Sequence, residues 1–221
     1  MVLFIIGYIL VALPILLMLP TRVKGRKNLI KDKRNILICN HRSNFDAVLL
    51  DFYLRKRIRF LGKKELFENK FMGFLYGKVI GAVKINRGHA DLTSVKTVLN
   101  LLKQEKTVGI FPQGTRVKGE QENIEIKNGV CLFAIKSKSP IVPTYIVKKP
   151  RLFSFNTILI GKPFELSEFY DVKLTKEVLD QAGDRVQASI EELKECYEKR
   201  LQEKALKKQY KKIKKQNKQK S

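Results

Sequence analysis

The chain has 221 residues, room for one domain with a buried core and an appendage; its 44% hydrophobic and 30% charged residues suit an ordinary globular chain, and its 13 Gly and 7 Pro exclude collagen-like or low-complexity structure. Its 45 Lys and Arg against 21 Asp and Glu give a net charge of +24, which draws it to polyanions: nucleic acid, anionic membrane or phosphorylated substrates. Three widely spaced cysteines, Cys39, Cys131 and Cys196, fit neither a disulfide framework nor a CxxC metal site and point to a reducing compartment.

Residues 1–20 carry no charged side chain and are long enough for a membrane helix, with Pro14 set to kink or break it. No basic n-region or small-residue cleavage site marks a secretory signal. Arg22, Lys24, Arg26 and Lys27 follow, and the positive-inside rule keeps that flank, and the body after it, on the cytoplasmic face behind a single N-terminal anchor. The alternative is a buried helix in a soluble core.

The middle alternates strand-like and helix-like segments. Asn35–Cys39 is an apolar run expected as a buried strand, and Phe45–Arg55 a helix packed on it. Ile58–Leu61 is a second strand. The stretch 66–80 is apolar and aromatic, helical in parts, with Gly73 and Gly77 four apart. Residues 81–86 lead a third strand, 92–102 form an amphipathic helix, and 108–111 a fourth strand stopped by Pro112. Residues 128–137 read as a small helix, and 141–147 and 157–160 as the last strands. The alternation predicts an α/β fold with a mostly parallel central sheet flanked by helices. From Glu191 the chain has many helix formers and no Gly or Pro; residues 199–221 hold eleven Lys or Arg and one acid, Glu203. This basic C-terminal helix is either a solvated tail or an electrostatic attachment to an anionic leaflet, and charge alone also admits nucleic acid. Residues 199–221 hold one aromatic residue, Tyr210, and no groove-reading or zinc motif, so no nucleic-acid partner is expected. The expected organisation is an anchoring segment over 1–20, a catalytic domain over 21–166 and a helical, basic tail over 167–221.

Ligands in open α/β sheets lie beyond the carboxyl ends of strands. Three polar clusters fall there. In NHRSNFD, His41 directly follows the first strand and Asp46 lies five residues on. If the chain turns between them, the carboxylate fixes one imidazole nitrogen and leaves the other to take a proton from a hydroxyl. The same residues also fit a plain capping box, with Ser43 as N-cap and Asp46 three residues later. In KINRGHAD, Arg87 leaves a strand beside Gly88, either as a surface residue or as a planar fork for phosphate; His89 reads as a helix-start surface residue without a role. In FPQGTR, Gly114 permits a tight turn, and Thr115 and Arg116 add a hydroxyl and a second guanidinium; alone it is a generic loop.

Together these clusters resemble the four ordered blocks of the glycerolipid acyltransferase family. NHRSNFD resembles the His-x4-Asp block, KINRG the second block with its arginine, FPQGTR the FPEGTR block, and IVPTYI, with Pro143, the last; the likeness runs from about Val23 to Pro163. It implies transfer of a fatty acyl chain from acyl-CoA or acyl-carrier protein to the sn-2 hydroxyl of 1-acyl-glycerol-3-phosphate (lysophosphatidic acid), giving phosphatidic acid. By the same resemblance His41 is general base, Asp46 its orienting partner, and Arg87, Gly114, Thr115 and Arg116 hold the glycerol phosphate. No metal or redox cofactor is implied. The family usually has Glu where this chain has Gln113, which keeps an acceptor of similar shape but loses its charge. That departure opens other acceptors: glycerol-3-phosphate, another lysophospholipid or a glycolipid. Phe67, Phe71, Phe74 and Leu75 could line an acyl slot or simply pack in the core. A basic scaffold binding RNA or anionic lipid without catalysis is the alternative from another class.

Overall fold

The computed structural model describes residues 13–85, 92–112 and 128–219. Seven strands make one sheet: β1 Thr21–Lys24, β2 Asn35–Cys39, β3 Ile58–Lys63, β4 Val83–Ile85, β5 Thr107–Ile110, β6 Ile141–Ile146 and β7 Asn156–Ile160, in the order β1-β7-β6-β2-β5-β3-β4. All neighbours run parallel except β6 and β7. The helices are α1 Asp46–Leu54, α2 Lys70–Gly73, α3 Leu92–Lys103, α4 Asn128–Ser137 and α5 Lys176–Gln219.

Central β2 shows why its sequence is an unbroken apolar run. Leu37 and Cys39 face one core cluster, shared with Val48, Leu50 and Leu54 of α1 and with Leu75, Val79 and Ile80. Ile36 and Ile38 face the other, shared with Val98 and Leu102 of α3, residues of α4, and Ala182, Val186 and Ile190 of α5. A strand covered on both faces has no polar side to alternate with. The expected mostly parallel sheet with helices on both faces is thus present.

Four features depart from the sequence expectation or refine it. Thr21–Lys24 is an edge strand, paired with β7 in parallel (Thr21 opposite Asn156). The C-terminal helix starts at Lys176 rather than Glu191, because Ala182, Val186 and Ile190, four apart, give it a buried stripe. The stretch after β3 is irregular: α2 runs into a π-helical segment, Phe74–Ile80, and ends at Gly81 in the left-handed region. Gly73 sits so close that an added Cβ would lie 2.6 Å from the Phe67 carbonyl oxygen.

The fourth concerns the expected membrane helix, of which residues 1–12 lie outside the described residues. Residues 13–18 are helical, and Ile15 and Leu16 pack on the first core cluster. The Tyr53 hydroxyl on α1 shares its one proton between the Leu16 and Leu19 carbonyls, at 3.0 and 2.9 Å, and accepts the Thr21 N–H at 3.0 Å. Among the described residues no helix is long and apolar enough to cross a membrane. Of the four residues offered for an acyl slot, Leu75 and Phe67 pack in the first core cluster and Phe74 is exposed. The side chain of Phe71 lies outside the described residues.

Candidate active site

The chain leaves β2 toward β3 through α1 on one face, and leaves adjacent β5 toward β6 through α4 on the other. Such divergence opens a crevice at the carboxyl ends of the two strands. The NHRSNFD loop lies there. Asn40 is buried and substitutes for a backbone rung: its amide donates to the Ile146 carbonyl at 3.0 Å and its Oδ1 accepts the Ile146 N–H at 2.7 Å. Arg42 Nε donates to the same carbonyl at 2.9 Å, and its Nη2 donates to the Tyr145 hydroxyl at 2.9 Å. The first and last sequence blocks are thereby fastened together across β2 and β6.

With its ends held, the loop folds back on Asp46. Asp46 Oδ2 lies 2.8 Å from His41 Nδ1 and accepts the backbone N–H groups of Arg42 at 2.6 Å and Ser43 at 2.7 Å. Asp46 is fully buried, whereas the His41 side chain is 19% exposed. One oxygen thus both contacts the imidazole and caps the loop, so the two readings of Asp46 are compatible in this geometry. Ser43 does not cap α1; its hydroxyl accepts the Phe45 N–H in a local turn, and the helix begins at Asp46. With Nδ1 donating to the carboxylate, a neutral imidazole carries its lone pair on Nε2.

The third block also reaches His41. The Phe111 ring stacks on the imidazole with centroids 4.3 Å apart, and Phe60 stacks beneath Phe111 at 5.4 Å. Gly109 makes room for this column, since an added Cβ would lie 2.4 Å from the Phe60 ring and 2.7 Å from Ile58. Gly109→Ala is expected to destabilise the chain by about 1–3 kcal/mol through overpacking. Urea unfolding checks this.

Cys39, just before the loop, is buried and donates to Asn40 Oδ1 at 3.4 Å. Burial, and secondarily the charge of Asp46, push its thiol pKa well up, so it stays protonated near neutral pH. Burial also raises the Tyr145 hydroxyl, with Arg42 pulling the other way.

Arg87, Gly114, Thr115 and Arg116, with Gln113, lie outside the described residues. The strands they follow, β4 and β5, finish at the same end of the sheet as β2. Asn40, Arg42, Phe111 and Tyr145 were not singled out from the sequence, because their partners are remote in it: Asn40 and Ile146 are 106 residues apart. A cavity of about 1150 Å³, lined mostly by basic residues such as Arg55, Lys56 and Arg57, opens at the opposite end, where β3 and β5 begin, and is separate from His41.

A mostly parallel sheet covered on both faces, with a His–Asp pair at the end of a central strand, is the arrangement that the resemblance of the sequence blocks implies. The family model described as Acyltransferase matches residues 20–147. The chain belongs to the acyltransferase family, and it is an O-acyltransferase. It is 31% identical over 182 residues to the 1-acyl-sn-glycerol-3-phosphate acyltransferase of Bacillus subtilis, covering 78% of this chain and 87% of that one. Against the Streptococcus pneumoniae protein of the same name it is 27% identical over 176 residues, covering 75% and 62%. The crystal structure of the 1-acyl-sn-glycerophosphate (LPA) acyltransferase PlsC from Thermotoga maritima shares the fold, with a TM-score of 0.58 at 23% identity over 79% of this chain and 72% of that one.

Proposed function

We propose that the chain transfers a fatty acyl group from acyl-CoA or acyl-carrier protein to the sn-2 hydroxyl of 1-acyl-glycerol-3-phosphate, yielding phosphatidic acid for phospholipid synthesis. The observation that carries it is the 2.8 Å approach of His41 Nδ1 to buried Asp46 at the end of β2. The names of the relatives support the acceptor.

His41 Nε2 takes the hydroxyl proton as the acceptor oxygen attacks the thioester carbonyl carbon. The tetrahedral intermediate collapses, the C–S bond breaks, and the imidazolium returns the proton to the leaving thiolate. Asp46 stabilises the imidazolium formed between these steps. Direct transfer suits the neighbourhood, since Cys39 is held as a thiol and offers no competing nucleophile. Arg87, Gly114, Thr115 and Arg116 hold the glycerol phosphate of the acceptor, as the family resemblance implies. The scheme calls on no metal or redox cofactor. The N-terminal segment and the basic tail hold the enzyme on the cytoplasmic face of an anionic membrane.

Transfer of labelled acyl groups to lysophosphatidic acid, from both donors and against a panel of glycerol-3-phosphate, other lysophospholipids and glycolipids, tests the reading. Activity confined to another acceptor would overturn it. Gln113 favours including that panel, because a neutral amide cannot neutralise Arg116. Gln113→Glu is expected to change the KM for the phosphorylated acceptor more than kcat, measured by steady-state kinetics.

A further inference from the structure

The β6–β7 connection, residues 148–155, reads KKPRLFSF: three cations, three large apolar side chains and no acid. Leu152, Phe153 and Phe155 are 60%, 75% and 65% exposed. A loop with nothing to bury them would normally fold them in. Here its backbone is fixed. Buried Asn156 closes the base, accepting the Lys148 N–H at 3.0 Å and donating to the Lys148 carbonyl at 2.7 Å. Ser154 N–H closes a turn on the Arg151 carbonyl, and Phe153 adopts a left-handed φ of 56°, rare for an aromatic residue.

The loop is also tied to the N-terminal helix. Phe153 N–H donates to the Met18 carbonyl at 2.6 Å and Asn156 N–H to Pro20 at 2.9 Å. Leu13, Leu17 and Met18 of that helix are themselves exposed, while Ile15 and Leu16 point into the core. The two segments therefore present their apolar side chains next to one another. Lys148, Lys149 and Arg151 lie beside them, and the Arg22 guanidinium covers the Phe155 ring at 5.5 Å. Tyr197 of α5 shares a small cavity with Arg22, Lys148 and Phe155, so the basic half of α5 leaves the body at this place. Thr21 and Asn156 mark the end of the sheet where β2 and β6 finish, the end that carries His41.

We propose that residues 148–155 are a membrane-inserting element: Leu152, Phe153 and Phe155, together with residues 13–18, enter the interface of an anionic bilayer while the surrounding cations meet lipid phosphates. Exposed apolar patches with a polar rim mark interaction surfaces, and aromatic residues beside Lys and Arg suit the headgroup boundary. Charge selects the occupant: a surface with cations and no acid in the loop fits an anionic leaflet. The bearing on catalysis rests on the proposed lipid acceptor, because insertion here brings the His41 end of the sheet to the membrane surface.

The chain contains no tryptophan, so Phe153→Trp makes a single reporter in the 221-residue chain. On vesicles of phosphatidylcholine with 30% phosphatidylglycerol, its emission should shift to the blue and be quenched by lipids brominated near the headgroup. Phe155→Trp is the second reporter, used if the first variant loses its unfolding transition. In co-sedimentation with the same vesicles, Leu152→Ser/Phe153→Ser/Phe155→Ser should weaken binding at least tenfold. Lys148→Gln/Lys149→Gln/Arg151→Gln should lose the preference for anionic over neutral vesicles. An unshifted tryptophan on protein that sediments with vesicles overturns the proposal, as does native-like binding by the serine variant. A concentration-dependent blue shift without lipid would assign the patch to a second copy and overturn it too. These readouts do not depend on acyl transfer, so the insertion and the proposed reaction fail separately.

Discussion

His41→Ala is expected to lower kcat/KM for acyl transfer by about 10²–10⁴-fold, the usual contribution of a positioned general base. The fold should survive. The imidazole is partly exposed, and without it Asp46 keeps its two backbone donors and Phe111 keeps Phe60. A variant that retains native acyl transfer with an unchanged unfolding midpoint would remove the base assignment. Loss of activity together with loss of the unfolding transition would point to a structural role.

Asp46 separates the chemical from the architectural contribution. Asp46→Asn retains a carbonyl oxygen able to accept the Arg42 and Ser43 N–H groups but has no charge to stabilise an imidazolium. Its expected effect is roughly a 10²-fold loss of kcat/KM with little change in stability. Asp46→Ala removes the acceptor of both half-buried backbone donors, and the expected additional cost is about 1–3 kcal/mol of folding stability in urea unfolding. If His41 and Asp46 act as one unit, the His41→Ala/Asp46→Asn double variant should be hardly slower than His41→Ala alone. Additive losses would show that the carboxylate acts on something other than the imidazole.

What could be read in advance follows from where the physics is local. The runs Asn35–Cys39 and Ile141–Ile146 announced strands because both their faces are buried. Leu92–Lys103 announced a helix because only one of its faces is. The strand Thr21–Lys24 was illegible: as a polar edge strand its half-exposed side chains carry no apolar signal, and its existence depends on β7. The start of α5 was missed because Gly183 interrupts a stripe whose spacing was present, Ala182, Val186 and Ile190. At the site, His41 and Asp46 were legible as residue types at a strand end. The reason they meet was not, since it lies in Asn40 and Arg42 gripping Ile146, a contact no spacing encodes. Nor does the FPQGTR block disclose that its phenylalanine is the surface on which the imidazole rests.

The edge pairing of β1 with β7 also sets a timetable for biosynthesis. Thr21 leaves the ribosome 135 residues before its partner Asn156 (156 − 21), a delay on the order of 10 s at ordinary elongation rates. Throughout that interval the first strand has no mate in the sheet, so its closure is among the last events of assembly. A nascent chain arrested before Asn156 should leave Thr21–Lys24 open to proteases, and one arrested well beyond Ile160 should protect it.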